Sequence, residues 1–223
     1  FLAALLLLTF TAFAETNPAN DSRVTYVGRT LVEGTDVSFD WTATYFRIAF
    51  SGKSLTMRAS DTKWDADAEK AATRHNYYNV WIDSPTSAEP HRIIEVAGND
   101  TVIELIDPAY LKKSRRAVHE VIVQKRTEGE QGKTTIHEFA TDAKGQFFPA
   151  EPLKTRQLEF IGDSYTCGYG IDAKSRKERF SPETENASRS YAGIVSRYFG
   201  ADYVAIAHSG MGIDELLDLI SIQ

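Results

Sequence analysis

The run Leu158-Glu-Phe-Ile-Gly-Asp-Ser-Tyr-Thr-Cys-Gly-Tyr-Gly170 constrains the fold more than any other part of the chain. An apolar segment of strand composition delivers Gly162, Asp163 and Ser164 into a glycine-rich turn. Residues 188–199 then carry Tyr191, Ile194, Val195, Tyr198 and Phe199 at helical spacing, with Ser188 or Ser190 as the cap and Gly200 at C′. Residues 203–207 read as a second apolar strand. Residues 212–222 begin a second helix, with Ile213, Leu216, Leu217 and Ile220 on one face. Strand, helix, strand, helix is the unit of a parallel sheet covered on both sides, and open sheets of this kind take their ligands at the carboxyl ends of the strands.

Upstream the texture differs. Phe46, Ile48 and Phe50 alternate with Arg47 and Ala49, and Tyr78, Val80 and Ile82 repeat the pattern. Residues 93–96, 102–106, 118–125 and 134–139 are further strand candidates, with turn signals at Gly52, Gly98 and Gly129. Several short strands between residues 23 and 148 predict antiparallel sheets in a β-sandwich or jelly roll. The polar residues 15–22 read as a loose leader. Residues 149–156, with Pro149 and Pro152, read as a linker, and residues 157–223 as an α/β unit.

A length of 223 residues accommodates this two-domain reading. A net charge of −6 argues against a nucleic-acid surface. The first 14 residues are uncharged and apolar but too few for a membrane span, which takes about 20. With Ala12 and Ala14 in signal-peptidase positions, residues 1–14 read as part of a signal peptide cleaved after Ala14. Cys167 is the single cysteine, so no intrachain disulfide forms; export without disulfides fits a secreted or periplasmic protein. Asn20, Asn99 and Asn186 begin sequons that matter only in a eukaryotic secretory pathway.

A serine hydroxyl needs a base within reach and donors aimed at the oxyanion that forms. Ser164 lies just past a strand, where its own backbone N–H can be one donor, and Asp163 supports the turn. The segment Ile206-Ala-His-Ser-Gly-Met-Gly212 ends the next strand, so Gly210 can offer a second N–H at the same sheet edge. Other constellations carry less. Cys167 reads as a buried structural cysteine rather than a thiol nucleophile. Asp61, Asp65, Asp67 and Glu69 read as a solvated acidic loop rather than a calcium site. Trp41, Trp64 and Trp81 read as core rather than as platforms for sugar rings.

The Gly-Asp-Ser run is the nucleophile block of the GDSL, or SGNH, hydrolases, and the chain as a whole resembles carbohydrate esterase family 2. The similar segments are Gly28-Arg-Thr, Val37-Ser-Phe-Asp-Trp41, Phe50-Ser-Gly-Lys-Ser-Leu, Val118-His-Glu-Val-Ile-Val-Gln-Lys-Arg-Thr-Glu128, Phe160-Ile-Gly-Asp-Ser-Tyr-Thr-Cys-Gly-Tyr-Gly, Thr184-Glu-Asn-Ala-Ser-Arg-Ser-Tyr191 and Ser209-Gly-Met-Gly. The resemblance implies an N-terminal jelly roll followed by the first half of a three-layer α/β/α SGNH fold. It implies Ser164 as nucleophile, Gly210 and the Ser164 N–H as oxyanion contacts, and no cofactor or metal. The implied reaction removes acetyl groups from polysaccharides such as xylan or glucomannan, by a monomer that needs neither nucleic acid nor, after signal cleavage, a membrane.

The family's oxyanion Asn and its histidine base belong to blocks downstream of Gly210, and neither can be assigned among the 223 residues. His75, His91, His119 and His137 fall in the sandwich, and His208 precedes Gly210, out of the family order. Two alternatives stand beside the esterase. One is a non-catalytic sugar-binding sandwich, which requires a row of exposed aromatics. The other is a GDSL lipase, which requires an apolar acyl groove. The chain is expected to be truncated, and its acetyl release from an aryl acetate should fall orders of magnitude below that of a complete esterase. A rate comparable to a complete enzyme would overturn this.

Overall fold

The computed structural model describes residues 14–62, 75–212 and 214–215. The expectations for residues 1–13, for Trp64, Asp65, Asp67 and Glu69, and for most of the helix after Gly212 lie outside the described residues. Two six-stranded antiparallel sheets face each other. In the first, β3 (Leu31–Glu33), β4 (Asp36–Phe39), β11 (Lys133–Thr141), β6 (Leu55–Thr62) and β9 (Thr101–Glu104) run in that order, with β1 (Thr16–Pro18) also paired to β11. In the second the order is β12 (Gln146–Phe148), β5 (Tyr45–Ser51), β10 (His119–Lys125), β7 (Asn76–Ile82) and β8 (Arg92–Val96), with β2 (Thr25–Val27) also on β5.

Alternation sends one set of side chains inward. Val37, Phe39, Leu55, Met57, Ile136 and Phe139 of the first sheet join Phe46, Ile48, Phe50, Tyr78, Val80, Val121 and Val123 of the second in one core. Phe46 and Phe139 meet across it with ring centroids 5.2 Å apart. Each such fully buried side chain stabilises the fold by about 1.5–3 kcal/mol. The Gly98 turn joins β8 to β9 and so carries the chain from one sheet to the other instead of closing a hairpin.

One reading needs correction. Residues 15–22 are no loose leader: β1 pairs with β11, Thr16 opposite Ala140, and Asn17 and Ala19 are buried. The pairing is made by backbone groups, so polar side chains did not betray it. Residues 149–156 carry neither helix nor strand and are held by hydrogen bonds at three points. Ala150 N–H donates to Arg23 O (2.9 Å), Arg47 Nη1 to Pro152 O (3.1 Å) and Lys154 N–H to Asp202 Oδ2 (2.8 Å). A short helix α1 (Pro108–Lys113) was also not anticipated, although Asp107 caps it by accepting Ala109 N–H and proline opens it.

After the sandwich come β13 (Gln157–Gly162), α2 (Ser164–Cys167), α3 (Tyr191–Tyr198) and β14 (Asp202–Ala207). β13 and β14 pair in parallel, from Gln157 opposite Asp202 to Gly162 opposite Ala207. α3 is the expected helix, with Ser190 as N-cap residue and Gly200 at φ +59° just past its end. Ala192, Gly193 and Ser196 point inward, while Tyr191, Ile194 and Tyr198 are exposed. Close approach explains this, because a Cβ on Gly193 would lie 2.3 Å from Ser188 O.

This βα unit covers the outer face of the second sheet. Val27, Ala43, Tyr45 and Ile122 pack with Leu158, Phe160, Ala187, Ala192, Tyr203 and Ala205. Arg47, on the outward face of β5, pairs with the fully buried Asp202, whose Oδ1 also accepts Tyr45 OH (2.7 Å). Burial alone would raise the Asp202 carboxyl. The hydrogen bonds from Arg47, Lys154 N–H and Tyr45 outweigh it and hold the group below the ordinary value of 3.8. Asp202→Ala leaves the Arg47 guanidinium buried without its partner and should cost about 3–5 kcal/mol in a denaturation experiment. Because the folded-state pKa is depressed, the stability this carboxylate contributes is complete above about pH 4 and is lost as pH falls further. An acid titration of wild type against the variant should show their stabilities converging at low pH.

Candidate active site

β13 ends at Gly162, where a Cβ would stand 2.1 Å from Thr166 Oγ1, so only glycine admits the tight turn. Asp163 takes extended backbone as the N-cap of α2; its Oδ1 accepts Tyr165 N–H (3.0 Å) and its carbonyl accepts Thr166 N–H (3.0 Å). Its side chain is thus committed to holding the turn. Ser164 is the first residue of the helix, half-buried, and an N–H at that position has no partner inside its own helix. Gly168 ends the helix at φ +75°, and a Cβ there would meet Asn186 O at 2.4 Å.

β14 ends at Ala207. His208 N–H donates to Gly162 O (3.2 Å), which ties the start of the second loop to the end of the first strand. Two residues on, Gly210 is exposed at φ +79°, with open space where a side chain would be. Parallel register brings the loops of Ser164 and Gly210 to the same sheet edge.

The histidines sort clearly. His119 is buried with Nδ1 2.6 Å from Asp83 Oδ2, His75 lies 2.9 Å from Glu95, and His91 packs edge-on to Tyr110. His208 is at the site edge, its Nδ1 3.0 Å from Ser209 O and its Nε2 3.8 Å from Glu130 Oε1. His137 forms a connection not anticipated from the sequence: its Nε2 is 2.7 Å from Ser60 Oγ and its Nδ1 2.9 Å from Asp36 Oδ2. That is the linkage of a serine triad. Ser60, however, lies inside β6, paired between β11 and β9, and its Oγ already accepts Asp100 N–H (3.0 Å). Backbone donors in a ladder are engaged, so nothing there is arranged to receive an oxyanion.

Directly behind α2 lies a buried ionic cluster that sequence reasoning did not find. Lys125, Glu128 and Glu185 are all fully buried beside Cys167. Lys125 Nζ donates to Thr127 O and Glu128 O, both at 2.9 Å. Burial pushes the lysine down to about 8 against the pull of Glu185, Asp40, Asp61 and Glu128. Burial, then the neighbouring Glu128 charge, raises Glu185 well above the usual carboxyl range. The same two causes raise the Cys167 thiol, so it is inert as a nucleophile. Carboxylate and sulfur atoms of Glu128, Cys167 and Glu185 lie within 4.8 Å of one another, but the buried ammonium already supplies the positive charge, and Ser209 N–H and the thiol occupy Glu128 Oε2. Glu128 Oε1 and Glu185 Oε1 are buried without a hydrogen-bond partner, so the set carries its own cation but is not fully satisfied by hydrogen bonds.

Asp61 is not in a solvated loop as expected: it lies in β6, is buried and accepts Asn76 Nδ2 (2.8 Å). Trp41 packs with Ile206, Val204 and Met211, and the Trp81 indole donates to Ala88 O (2.9 Å); both are buried.

Comparison with known proteins now bears on this geometry. The family model described as carbohydrate esterase 2 N-terminal matches residues 26–150. The chain belongs to carbohydrate esterase family 2. An acetylxylan esterase / glucomannan deacetylase of Cellvibrio japonicus is 31% identical over 196 residues, covering 83% of this chain and 47% of that protein. Cellulase/esterase CelE of Acetivibrio thermocellus is 30% identical over 167 residues, 75% of this chain and 19% of that protein. Among solved structures, a family two carbohydrate esterase from Cellvibrio japonicus superposes with a TM-score of 0.74 at 22% identity, over 89% of this chain and 53% of that one. A family two carbohydrate esterase from Clostridium thermocellum, in complex with cellohexaose, gives 0.71 at 25%, over 85% and 52%. The chain therefore spans about half the length of the family two esterases it matches.

The raised Glu185 carboxyl gives a stability test. A folded-state pKa above the unfolded one favours folding most below the unfolded value near 4.5, and that contribution is lost as pH rises toward the folded value. Glu185→Gln is permanently neutral and lacks this loss. Thermal melts should show the Tm of the variant gaining on wild type as pH rises from about 5 to 8.

Proposed function

We propose that this chain carries the nucleophile and two oxyanion donors of a serine esterase that removes O-acetyl groups from plant cell-wall polysaccharides, xylan and glucomannan among them. One observation carries the reading: Ser164 opens a helix at the carboxyl end of a parallel strand, on the edge that also bears Gly210. In this reading Ser164 Oγ attacks the acetyl carbonyl. The charge developing on oxygen meets the Ser164 and Gly210 N–H groups, and the sugar hydroxyl departs. Water then releases acetate from the acyl-serine, with an imidazole passing the proton at each step. The names of the relatives support the substrate class. The two sheets are read as the jelly roll, residues 157–223 as SGNH-type sequence, and the protein as secreted; among the described residues no helix is long and apolar enough to cross a membrane.

The rival reading, a sandwich that only binds sugar, needs exposed aromatics on a sheet. Among the described residues the strongly exposed aromatic rings are Tyr165, Tyr169, Tyr191, Tyr198 and Phe199, all outside the sandwich. Acetyl release from acetylated xylan and 4-nitrophenyl acetate, assayed in the longest natural polypeptide bearing this sequence, tests the proposal. Ser164→Ala should lower the rate by on the order of a thousandfold or more, whereas Ser60→Ala should leave it unchanged. The reverse pattern would transfer the chemistry to the Ser60–His137–Asp36 linkage.

A further inference from the structure

We propose that Glu128, a residue of the sandwich, is the positioning residue that sets the two loops carrying Ser164 and Gly210 in register with each other. The catalytic consequence rests on the esterase reading; the positioning itself does not.

Glu128 is anchored before its side chain reaches anything. Lys125 Nζ holds the Thr127 and Glu128 carbonyls, and Thr127 Oγ1 donates to Asn76 Oδ1 (2.8 Å). Arg126 Nη1 donates to Asn79 Oδ1 (2.7 Å) and Arg126 Nη2 to Asp172 Oδ2 (2.7 Å). Glu128 N–H donates to Glu185 Oε2 (3.2 Å). From this fixed backbone one carboxyl oxygen, Oε2, accepts Ser209 N–H at 2.6 Å and the Cys167 thiol at 3.6 Å. Ser209 immediately precedes Gly210, and Cys167 lies in α2 with Ser164. A single atom thus bridges both loops.

A short hydrogen bond from a backbone N–H to a carboxyl group is among the stronger ones, and a buried donor stripped of its acceptor bears the full cost of desolvation. The alignment of the two oxyanion donors is a property of backbone; Asp163 holds the Ser164 turn, and Gly210 has no side chain to fix it. Gly210 is exposed at φ +79°, with nothing within 4 Å of where a Cβ would lie. Beside the His208 N–H bond to Gly162 O, the loop is held one residue earlier, where Ser209 N–H meets Glu128 Oε2. A displacement of about 1 Å at such a site costs about a hundredfold in rate.

The test compares wild type, Glu128→Ala and Glu128→Gln. On the chain itself the readouts are the Ser209 amide resonance and its hydrogen exchange, Cys167 reactivity toward a disulfide reagent, and Tm. The longest natural polypeptide gives kcat and KM on 4-nitrophenyl acetate. Glu128→Ala should move the Ser209 amide upfield, speed its exchange, and raise Cys167 reactivity at least about tenfold. It should lower kcat about a hundredfold with KM within about twofold. Glu128→Gln keeps an acceptor oxygen for Ser209 and should restore most of each readout; it carries the test alone if the alanine variant fails to fold. An unchanged Ser209 amide and an unreactive Cys167 in a folded Glu128→Ala protein would overturn the proposal, as would full kcat with the loops released. A wild type that releases no acetyl sinks the esterase reading instead, and the Ser209 and Cys167 readouts then decide the positioning on their own.

Discussion

The second sheet is buried on both faces, and the rest of the molecule follows from that. One face of β5, β10 and β7 meets the first sheet through apolar side chains. The other meets the βα unit and presents Arg47, Gln124 and Asn79 along with Tyr45 and Ile122. Polar groups there have no water to fall back on, so each needs a partner from across the junction. Asp202 answers Arg47, the Tyr203 hydroxyl answers Gln124, and Asn186 answers Asn79. The apolar contacts would tolerate sliding. The directed polar pairs specify one seating of the βα unit on the sandwich.

That seating governs the site. Among the described residues the unit has a two-stranded parallel sheet and one helix of eight residues, a small object whose loops lack a large core of their own. The sandwich supplies the missing restraint at the end of β10 and just beyond it, where Lys125 Nζ holds the Thr127 and Glu128 carbonyls and Thr127 and Arg126 bind Asn76 and Asn79 of β7. Arg126 O accepts Ala187 N–H (3.2 Å), Arg126 Nη2 reaches Glu183 O (2.9 Å), and Glu128 reaches both site loops. Burying an ammonium beside two carboxyls is costly in itself, and the raised Glu185 and lowered Lys125 record that cost. Such a cluster persists where it fixes geometry that apolar packing would leave loose, which is why it sits behind α2 and not elsewhere.

What could be read from the sequence was whatever repeats or punctuates. Alternation at Phe46, Ile48 and Phe50 and at Tyr78, Val80 and Ile82 named β5 and β7, and the glycines around Ser164 named the turn. β1 escaped because Thr16, Asn17 and Pro18 have no apolar period; their contribution is backbone pairing to β11. The spacing of Tyr191, Ile194 and Tyr198 marked α3 as a helix without saying which of its faces is buried. Tyr191 and Ile194 form the conspicuous stripe, but close packing against the 187–189 turn selects Ala192 and Gly193. Glu128 stood in a quoted segment, yet nothing local reveals that its side chain meets Ser209, 81 positions away.

The two serines separate connectivity from chemistry. Ser60 has the fuller set of side-chain partners, a histidine and then an aspartate, but it lies in a strand whose backbone donors face neighbouring strands. Ser164 opens a helix at the carboxyl end of a parallel strand, and a second glycine loop stands alongside. Side-chain links orient a proton acceptor; they do not create a place for negative charge to form. Only chain geometry does that, through a strand end, a helix start and a glycine free of side-chain bulk, all held from behind. A functional reading of this protein is therefore better judged by where its amides point than by which side chains touch.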